Sequence, residues 1–307
     1  MTAAPTGRQY ELISGRQRAV VVELGAGLRE YGSGAGPLVD GYAIDESPNG
    51  ARGQLLLPWP NRIADATYRF SGKEYRLPIN EPKTGSAIHG ITRDMPWHLH
   101  DSSASAVTLA LDLPPQAGYP FPLQLTATYQ LDSDGLAVTI TAANTGQTPC
   151  PYGAGAHPYV RLVGGGLIDN ALLHIPAGAT LEADSRGIPT GTELPVEGTA
   201  FDFRTPRPIG QLTLDTAFTN LTSANAGITT IALTSPDRSR GVAVWMDSSH
   251  GYAMVYSGDT LADVPRRRHG LAIEPMTCAP DAFNSDAGLV ILDPGETHSA
   301  TWGIAPL

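Results

Sequence analysis

The stretch LQLTATYQLDSDGLAVTITA, residues 123–142, decides the fold class of this protein. Apolar side chains alternate with polar ones from Leu123 to Leu131, and again from Leu136 to Ala142. Successive residues of a strand point to opposite faces, so this period of two predicts two strands, each with one buried face. The connection Asp132–Gly135 is short and polar, which predicts that the two strands form an antiparallel hairpin.

Strand-like segments recur along the chain, and helical spacing does not. Glycine and proline contribute 34 and 26 of the 307 residues, an excess that indicates many turns. There is no linker, repeat or break in composition. We therefore expect an all-β fold of two large antiparallel sheets packed face to face, in one domain spanning residues 1–307. Further predicted strands are Ala19–Leu24, 107–113, Thr229–Leu233, Gly241–Met246, Tyr252–Tyr256 and Leu289–Leu292.

The charge balance restricts the partners of the protein. Twenty Lys and Arg against thirty Asp and Glu give a formal net charge of −10, which disfavours binding to nucleic acid and to anionic membrane surfaces. Cys150 and Cys278 are too few for a disulfide framework and suit a reducing compartment. Neither a signal-peptide core nor a membrane-spanning apolar run is visible. We expect a cytoplasmic protein, monomer or homodimer, whose partner is a small molecule.

Common cofactor and nucleophile motifs are missing from the sequence. It contains no phosphate-binding GxxxxGK[ST], no dinucleotide-binding glycine pattern, no GxSxG, no HExxH and no CxxC. These absences argue against the corresponding nucleotide, serine-nucleophile and zinc sites, and we expect no resident metal.

Three segments place titratable side chains among small or rigid neighbours. Residues 58–63 read PWPNRI, residues 152–159 read YGAGAHPY, and residues 271–284 read LAIEPMTCAPDAFN. Glu274 ends an apolar strand, where burial raises a carboxyl pKa and makes the group a usable base near neutrality. The glycines before His157 leave room for a ligand. These residues indicate an acid–base site on a β scaffold.

Taken in order, these motifs resemble the aldose 1-epimerase (galactose mutarotase) family. The resemblance is carried by NRI at 61–63, the Tyr-x-Phe-x-Gly pattern at 68–72 with Asn80, HG at 89–90, HPY at 157–159, and EPMT with PDAFN within 274–284. The order and rough spacing also match. The resemblance implies a β-supersandwich fold, no cofactor, and interconversion of the α and β anomers of free aldohexoses.

The resemblance also implies roles for individual residues. Glu274 corresponds to the general base and His157 to the general acid. We expect the negative field of Glu274 and Asp215 to raise the pKa of His157 and keep it protonated. Met254 stands where many members carry Gln, so the galactose or glucose preference is not carried over. The expected substrate contacts are Arg62 and His89 near the ring oxygen and hydroxyls, Asp215 and Asn61 at hydroxyls, Tyr256 on the cavity wall, and Trp59 stacked on the sugar.

Three other functions are compatible with the same residues. An epimerase for hexose 6-phosphates would hold the phosphate through Arg93 or the run Arg266–Arg268. A non-catalytic sugar-binding module would keep the scaffold without needing an acid–base pair. A metal-dependent enzyme would use His89, His157 and Glu274 as a facial triad. Asp281 is expected to serve a turn or a helix cap.

Overall fold

The computed structural model describes residues 4–307 and contains 47% strand and 5% helix, which confirms the all-β prediction. The first strands are β1 (Gln9–Ser14), β2 (Gln17–Val22), β3 (Leu28–Ser33), β4 (Gly36–Pro37), β5 (Leu55–Leu56), β6 (Arg62–Ile63), β7 (Thr67–Phe70), β8 (Lys73–Arg76), β9 (Ala87–Ile88), β10 (His98–Ser102), β11 (Ala106–Leu113), β12 (Leu123–Leu131) and β13 (Leu136–Asn144).

The second half of the chain continues the same pattern of short strands. These are β14 (Cys150–Tyr152), β15 (Gly155–Ala156), β16 (Tyr159–Val160), β17 (Leu172–His174), β18 (Ala177–Ala183), β19 (Pro189–Pro195), β20 (Arg207–Pro208), β21 (Asp215–Leu221), β22 (Thr229–Thr234), β23 (Gly241–Met246), β24 (Tyr252–Tyr256), β25 (Leu271–Met276), β26 (Val290–Leu292) and β27 (Thr297–Pro306). Helical segments are α1 (Ala282–Ser285) and the 3-10 turns Ala64–Ala66, Ile168–Asn170, Asn225–Gly227 and Val264–Arg266.

Two large sheets organise the molecule. The nine-stranded sheet has the order β10-β11-β12-β13-β27-β23-β22-β17-β20. The eight-stranded sheet has the order β19-β18-β21-β24-β25-β15-β5, with β16 also paired to β25. The ladders within both sheets are antiparallel. The predicted hairpin is confirmed, because β12 and β13 pair from Leu131 opposite Leu136 to Leu123 opposite Asn144.

The predicted strands agree closely with the observed ones. Strands β23 and β24 have the predicted bounds, and β22 extends one residue beyond its prediction. Strand β2 ends at Val22 rather than Leu24, because the Val22 amide already donates to the Gly27 carbonyl in a turn, at 2.8 Å. Local alternation therefore located these strands well, but long strands such as β18, β19, β21 and the ten-residue β27 were not predicted.

A continuous apolar core joins the inner faces of the two large sheets. It extends along the chain from Leu12 to Ile304 and includes buried aromatic side chains such as Tyr129 and Trp302. Burying each large apolar side chain contributes roughly 1.5–3 kcal/mol, so the core is the main source of stability. Cys150, which belongs to this core, and Cys278 are buried free thiols. Within residues 4–307 no helix has the length and apolar character needed to cross a membrane.

Candidate active site

Strands β21, β24 and β25 place three functional side chains on one face of the eight-stranded sheet. Asp215 pairs with Tyr256, and Tyr256 pairs with Ala272. Glu274 lies two residues beyond Ala272, so its side chain points to the same face. All six residues of β25 are buried, and Glu274 itself is only 2% exposed. The register of the sheet thus brings the two carboxyl groups and a tyrosine to one place.

The HPY motif lies alongside the same strand and brings His157 to Glu274. β15 and β16 both pair with β25, through Gly155 opposite Met276 and Tyr159 opposite Ala272. His157 falls in the gap between these two short strands. There its Nε2 lies 3.2 Å from the Glu274 Oε1. The Tyr159 ring stacks on the imidazole with centroids 5.0 Å apart, which restricts its orientation.

The NRI and HG motifs are joined by a pair of short strands and by reciprocal hydrogen bonds. The backbone amide of Asn61 donates to the His89 Nδ1 at 3.2 Å, and the backbone amide of His89 donates to the backbone carbonyl of Asn61 at 2.8 Å. Both residues have positive φ, 54° and 63°. Such left-handed conformations are uncommon outside glycine and concentrate at functional sites. Gly90 follows because a Cβ there would collide with the Leu57 carbonyl.

The hydrogen bond from Asn61 also determines the tautomer of His89. A backbone amide only donates, so the His89 Nδ1 is an acceptor and the neutral ring carries its proton on Nε2. His89 therefore presents an N–H donor. Donor atoms of His89, His157 and Glu274 all lie within 4.8 Å of one another, as the metal alternative requires. Metal-ligating histidines, however, normally donate through their second nitrogen, and His89 accepts there instead. The arrangement suits a sugar hydroxyl better than a metal ion.

Arg62 is held in place by a carboxylate that the sequence did not single out. Its Nε and Nη2 donate to the two oxygens of Glu81 at 2.6 and 2.9 Å, a bidentate pair. Thr84 donates to the same carboxylate. Burial favours the neutral form of Glu81, yet the hydrogen bonds from Arg62 and Thr84 leave its pKa below the ordinary value. The sequence signal that could have identified Glu81 was its position directly after Asn80, which belongs to the family motifs.

These side chains converge on a cavity of about 440 Å³, within the roughly 300–1,000 Å³ typical of small-molecule sites. Seven of the eight residues expected from the sequence line it. Loop residues that no local pattern indicated complete the wall. The lining comprises Asn49, Gly50, Ala51, Asn61, Arg62, Asn80, Glu81, Ile88, His89, Arg93, His157, Tyr159, Asp215, Tyr256, Thr260, Leu261, Ala262, Asp263 and Glu274.

Burial dominates the electrostatics of the cavity. Desolvation, and secondarily the charge of Asp215, raise the pKa of Glu274 well above its ordinary value, although Arg62 opposes the shift. The pKa of Asp215 is also raised by burial. Desolvation lowers the pKa of His157 to about 3, with Arg93 and Arg52 adding to the effect. The prediction that Glu274 and Asp215 raise the pKa of His157 is therefore wrong, because desolvation, reinforced by the charges of Arg93 and Arg52, dominates the shift. Both shifts favour the neutral forms of Glu274 and His157 in the resting cavity.

A protein-family model described as aldose 1-epimerase matches residues 8–305. The protein belongs to the aldose 1-epimerase family. Membership makes it an isomerase acting on carbohydrates, in agreement with the acid–base cavity.

Individual relatives of this family member differ in how much they share with it. The uncharacterized protein YihR of Escherichia coli K12 is 36% identical over 302 residues, covering 97% of this chain and 93% of YihR. The galactose mutarotase of Rattus norvegicus is 37% identical over 157 residues, 49% of this chain and 44% of the rat protein. A solved GalM/aldose epimerase homologue from C. elegans has a TM-score of 0.87 at 21% identity, covers 98% of both chains and shows the shared fold.

Trp59 does not occupy the position expected of it in this epimerase. The sequence predicted that its ring stacks on the sugar, but the side chain is 2% exposed and belongs to the core. It packs against Tyr119 and edge-on against Phe283, with centroids 6.3 and 5.7 Å away. Its backbone lies two residues before Asn61, yet its side chain points away from the cavity. Trp59 is thus a packing residue rather than a sugar contact.

Met254 and Asp281 also lie outside the cavity lining. Met254 pairs with Glu274 across the sheet and packs in an apolar cluster with Ala217 and Met276. The Asp281 Oδ1 accepts the amide of Ala64 at 2.9 Å, which ties the PDAFN segment to the NRI segment. The same oxygen accepts the side-chain amide of Asn284 in α1 at 2.8 Å, but no backbone amide of that helix. Asp281 therefore fixes a turn between motifs, as expected, without capping the helix.

A second, larger cleft of about 580 Å³ lies around Asp40 and contains none of the eight expected residues. Its walls carry Tyr31, Tyr42 and Arg161, without a histidine–carboxylate pair. Volume alone does not mark the active site. The cavity around Glu274 is distinguished by convergent polar groups with strongly shifted pKa values.

Proposed function

We propose that the protein interconverts the α and β anomers of free aldohexoses, with Glu274 as general base and His157 as general acid. The observation that carries this proposal is the 3.2 Å contact between the His157 Nε2 and the Glu274 Oε1 inside a buried cavity. An anomerase needs one group that takes a proton and one that gives a proton, both within reach of the same ring. This pair meets that requirement.

In the proposed reaction the Glu274 carboxylate takes the proton of the O1 hydroxyl while the C1–O5 bond breaks. The His157 imidazolium protonates O5, so the sugar becomes an open-chain aldehyde and both side chains become neutral. Rotation about C1–C2 then presents the other face of the aldehyde. His157 takes back the O5 proton as O5 attacks C1, and Glu274 returns a proton to O1. Each such proton transfer contributes about 10²–10⁴-fold.

The proposed reaction starts from a Glu274 carboxylate and a His157 imidazolium. This ion pair differs from the neutral resting pair only in that one proton has moved across the 3.2 Å contact. Two features favour that movement once a sugar is bound. Arg62 already opposes the raised pKa of Glu274. A hydrogen bond from the O1 hydroxyl of the sugar stabilises the ionised carboxylate further. Substrate binding and activation of the base are therefore linked.

The remaining cavity residues orient the sugar in this proposal. His89 donates its Nε2–H, and Arg62 donates the guanidinium hydrogens not used by Glu81. Asp215 accepts hydrogen bonds from ring hydroxyls. The backbone amide of Asn61 is engaged by His89, so Asn61 orients His89 and does not use this amide to bind the sugar. The Tyr256 hydroxyl is hydrogen-bonded to Thr260 at 2.9 Å and forms part of the cavity wall.

The direct test is mutarotation of freshly dissolved α-D-glucose, α-D-galactose and two pentoses, followed by polarimetry. We expect catalytic amounts of protein to speed the approach to the anomeric equilibrium of at least one hexose without moving its position. The rat relative is named a galactose mutarotase, which makes galactose the first sugar to test. Rates equal to the buffer blank for every one of these sugars, and also for D-glucose 6-phosphate and D-glucuronate, would favour a non-catalytic sugar-binding module.

The pH dependence tests the state of the acid–base pair. The active free enzyme holds one proton on the pair, and acidification adds a second one. Because burial lowers the pKa of His157 to about 3, that second proton binds only well below pH 6.5. We expect kcat/KM, corrected for the blank at each pH, to stay constant from pH 7.5 through 5.5. A half-maximal value near pH 6.5 would show instead that His157 titrates like an exposed imidazole.

A further inference from the structure

Arg93 is a largely buried cation in the wall of the catalytic cavity. Its side chain lines the cavity together with His89 and His157. Its Nε is buried, and among residues 4–307 this atom has no hydrogen-bond acceptor. In the same part of the chain no carboxylate oxygen forms an ion pair with its guanidinium within 4.0 Å. Asp94, the exposed next residue, acts on it only as a more distant charge.

A neutral side chain holds the Arg93 guanidinium in place. The Gln54 amide nitrogen donates to the Arg93 carbonyl at 3.3 Å, and the Arg93 Nη1 donates to the Gln54 Oε1 at 3.4 Å. Gln54 is 4% exposed, so this support is itself fixed in the interior. An amide orients the guanidinium without neutralising its charge. The charge of Arg93 therefore remains available to a ligand.

Other arginines near the cavity are already satisfied by carboxylates. Arg62 is paired with Glu81 through two hydrogen bonds. Arg266 contacts Glu46 and Asp263 at 3.2 and 3.3 Å. Arg268, the other end of the basic run, contacts Asp169 and Asp259 at 2.7 and 2.9 Å. Arg267, between them, donates to the Leu261 carbonyl instead. Of the two arginines that line the cavity, Arg62 and Arg93, only Arg93 lacks a carboxylate partner among the described residues.

The positions of Arg93 and Asp215 in the cavity follow from the order of the strands. Gln54, which holds Arg93, accepts the backbone amide of His157 at 3.0 Å and directly precedes β5, whereas Asp215 begins β21. In the eight-stranded sheet β5 and β21 lie on opposite sides of β25, the strand of Glu274. Arg93 therefore lies at the histidine end of the cavity, and Asp215 lies at the opposite end. In the proposed reaction His157 protonates O5, and the ring carbon next to O5 carries C6. A group attached at C6 accordingly points toward Arg93.

We propose that Arg93 determines specificity by binding an anionic group carried at C6 of the sugar, so that the preferred substrates are charged aldoses. This inference rests on the proposed epimerase activity and adds the substrate class. Phosphate and carboxylate both present oxygens that accept charge-assisted hydrogen bonds from a guanidinium. Hexose 6-phosphates and hexuronates are the two sources of such a group.

The test compares D-glucose, D-glucose 6-phosphate and D-glucuronate by exchange NMR of the anomeric protons, which measures anomerisation at equilibrium for all three. We expect the wild type to show a higher kcat/KM for at least one charged sugar than for glucose. Arg93→Gln should lower that ratio by about 10- to 100-fold, the range of a hydrogen bond to a charged group. Arg93→Lys should recover part of it. Arg69→Gln, at an exposed arginine on β7, is the matched control.

The outcomes separate this inference from the proposed function. A charged-to-neutral ratio that stays the same in Arg93→Gln, with glucose still turned over, overturns the role of Arg93 and leaves the epimerase intact. Failure of the wild type on all three sugars and on galactose contradicts the proposed function itself. Preference for glucose 6-phosphate over glucuronate, or the reverse, identifies the anion. Circular dichroism and thermal unfolding of each variant show whether a lost activity reflects a lost fold.

Discussion

Glu274→Gln is expected to lower kcat for anomerisation by about 10²–10⁴-fold, with a much smaller change in KM. Glutamine keeps the shape of the side chain and its position on β25, but it cannot take a proton from O1. The loss falls on kcat because the general base acts in the transition state, whereas hydrogen bonds to hydroxyls form equally well in the ground state. The measurement is polarimetry or exchange NMR with the sugar that the wild type turns over fastest.

The fold should survive this substitution. Glu274 is 2% exposed, and its Oε2 has no hydrogen-bond partner among the described residues. The buried carboxyl group already favours its neutral form, and glutamine has nearly the same size, so the substitution should change the unfolding temperature only slightly. The same change at Glu193, exposed on β19, is the matched control and should leave kcat alone. Wild-type kcat in Glu274→Gln would eliminate this carboxylate as the base.

His157→Gln is expected to cause a loss of similar size, about 10²–10⁴-fold in kcat. The imidazole protonates O5, and no other group in the cavity is placed to replace it. His89 lies beside it with ring centroids 5.3 Å apart, but its Nδ1 is engaged by the Asn61 amide and its Nε2 serves as a neutral donor. His89→Gln should therefore have a smaller effect and act mainly on KM. A large loss in His89→Gln with normal activity in His157→Gln would exchange the two roles.

The double variant Glu274→Gln/His157→Gln tests whether the two residues act as a unit. Groups that pass one proton between them are strongly non-additive, so the double variant should be little slower than either single variant. Multiplied losses would indicate two independent contributions. His174→Gln, at a partly buried histidine on β17, provides the matched control for the imidazole replacement.

Much of the fold could be predicted from local alternation. Strand β12 has the bounds that the period of two gave, because it buries one face and exposes or half-buries the other. The very short strands were not predicted. Pairs such as β6 with β9 contain two residues each, too few for any periodicity, and they exist only because distant segments meet.

The prediction of the site contained one wrong residue and missed two residues that matter. Seven of the eight expected residues line the cavity, because most of them were assigned from the family motifs that carry them. Trp59 failed because the direction of a side chain in a loop is set by packing partners that are distant in sequence. Glu81 and Gln54 were not singled out for a similar reason, since each matters only through the arginine that it holds.

The sequence by itself determined the class of strands, the family motifs and the residue types available for acid–base chemistry. Only the tertiary structure decided their protonation and their charge partners. Burial lowers the pKa of His157 to about 3 and raises that of Glu274, against the expectation from nearby charges. The fold also places the Gln54 amide beside Arg93, whereas Arg62 is paired with the Glu81 carboxylate. Periodicity is local and can be read along the chain, whereas desolvation and ion pairing depend on which residues fold together around each group.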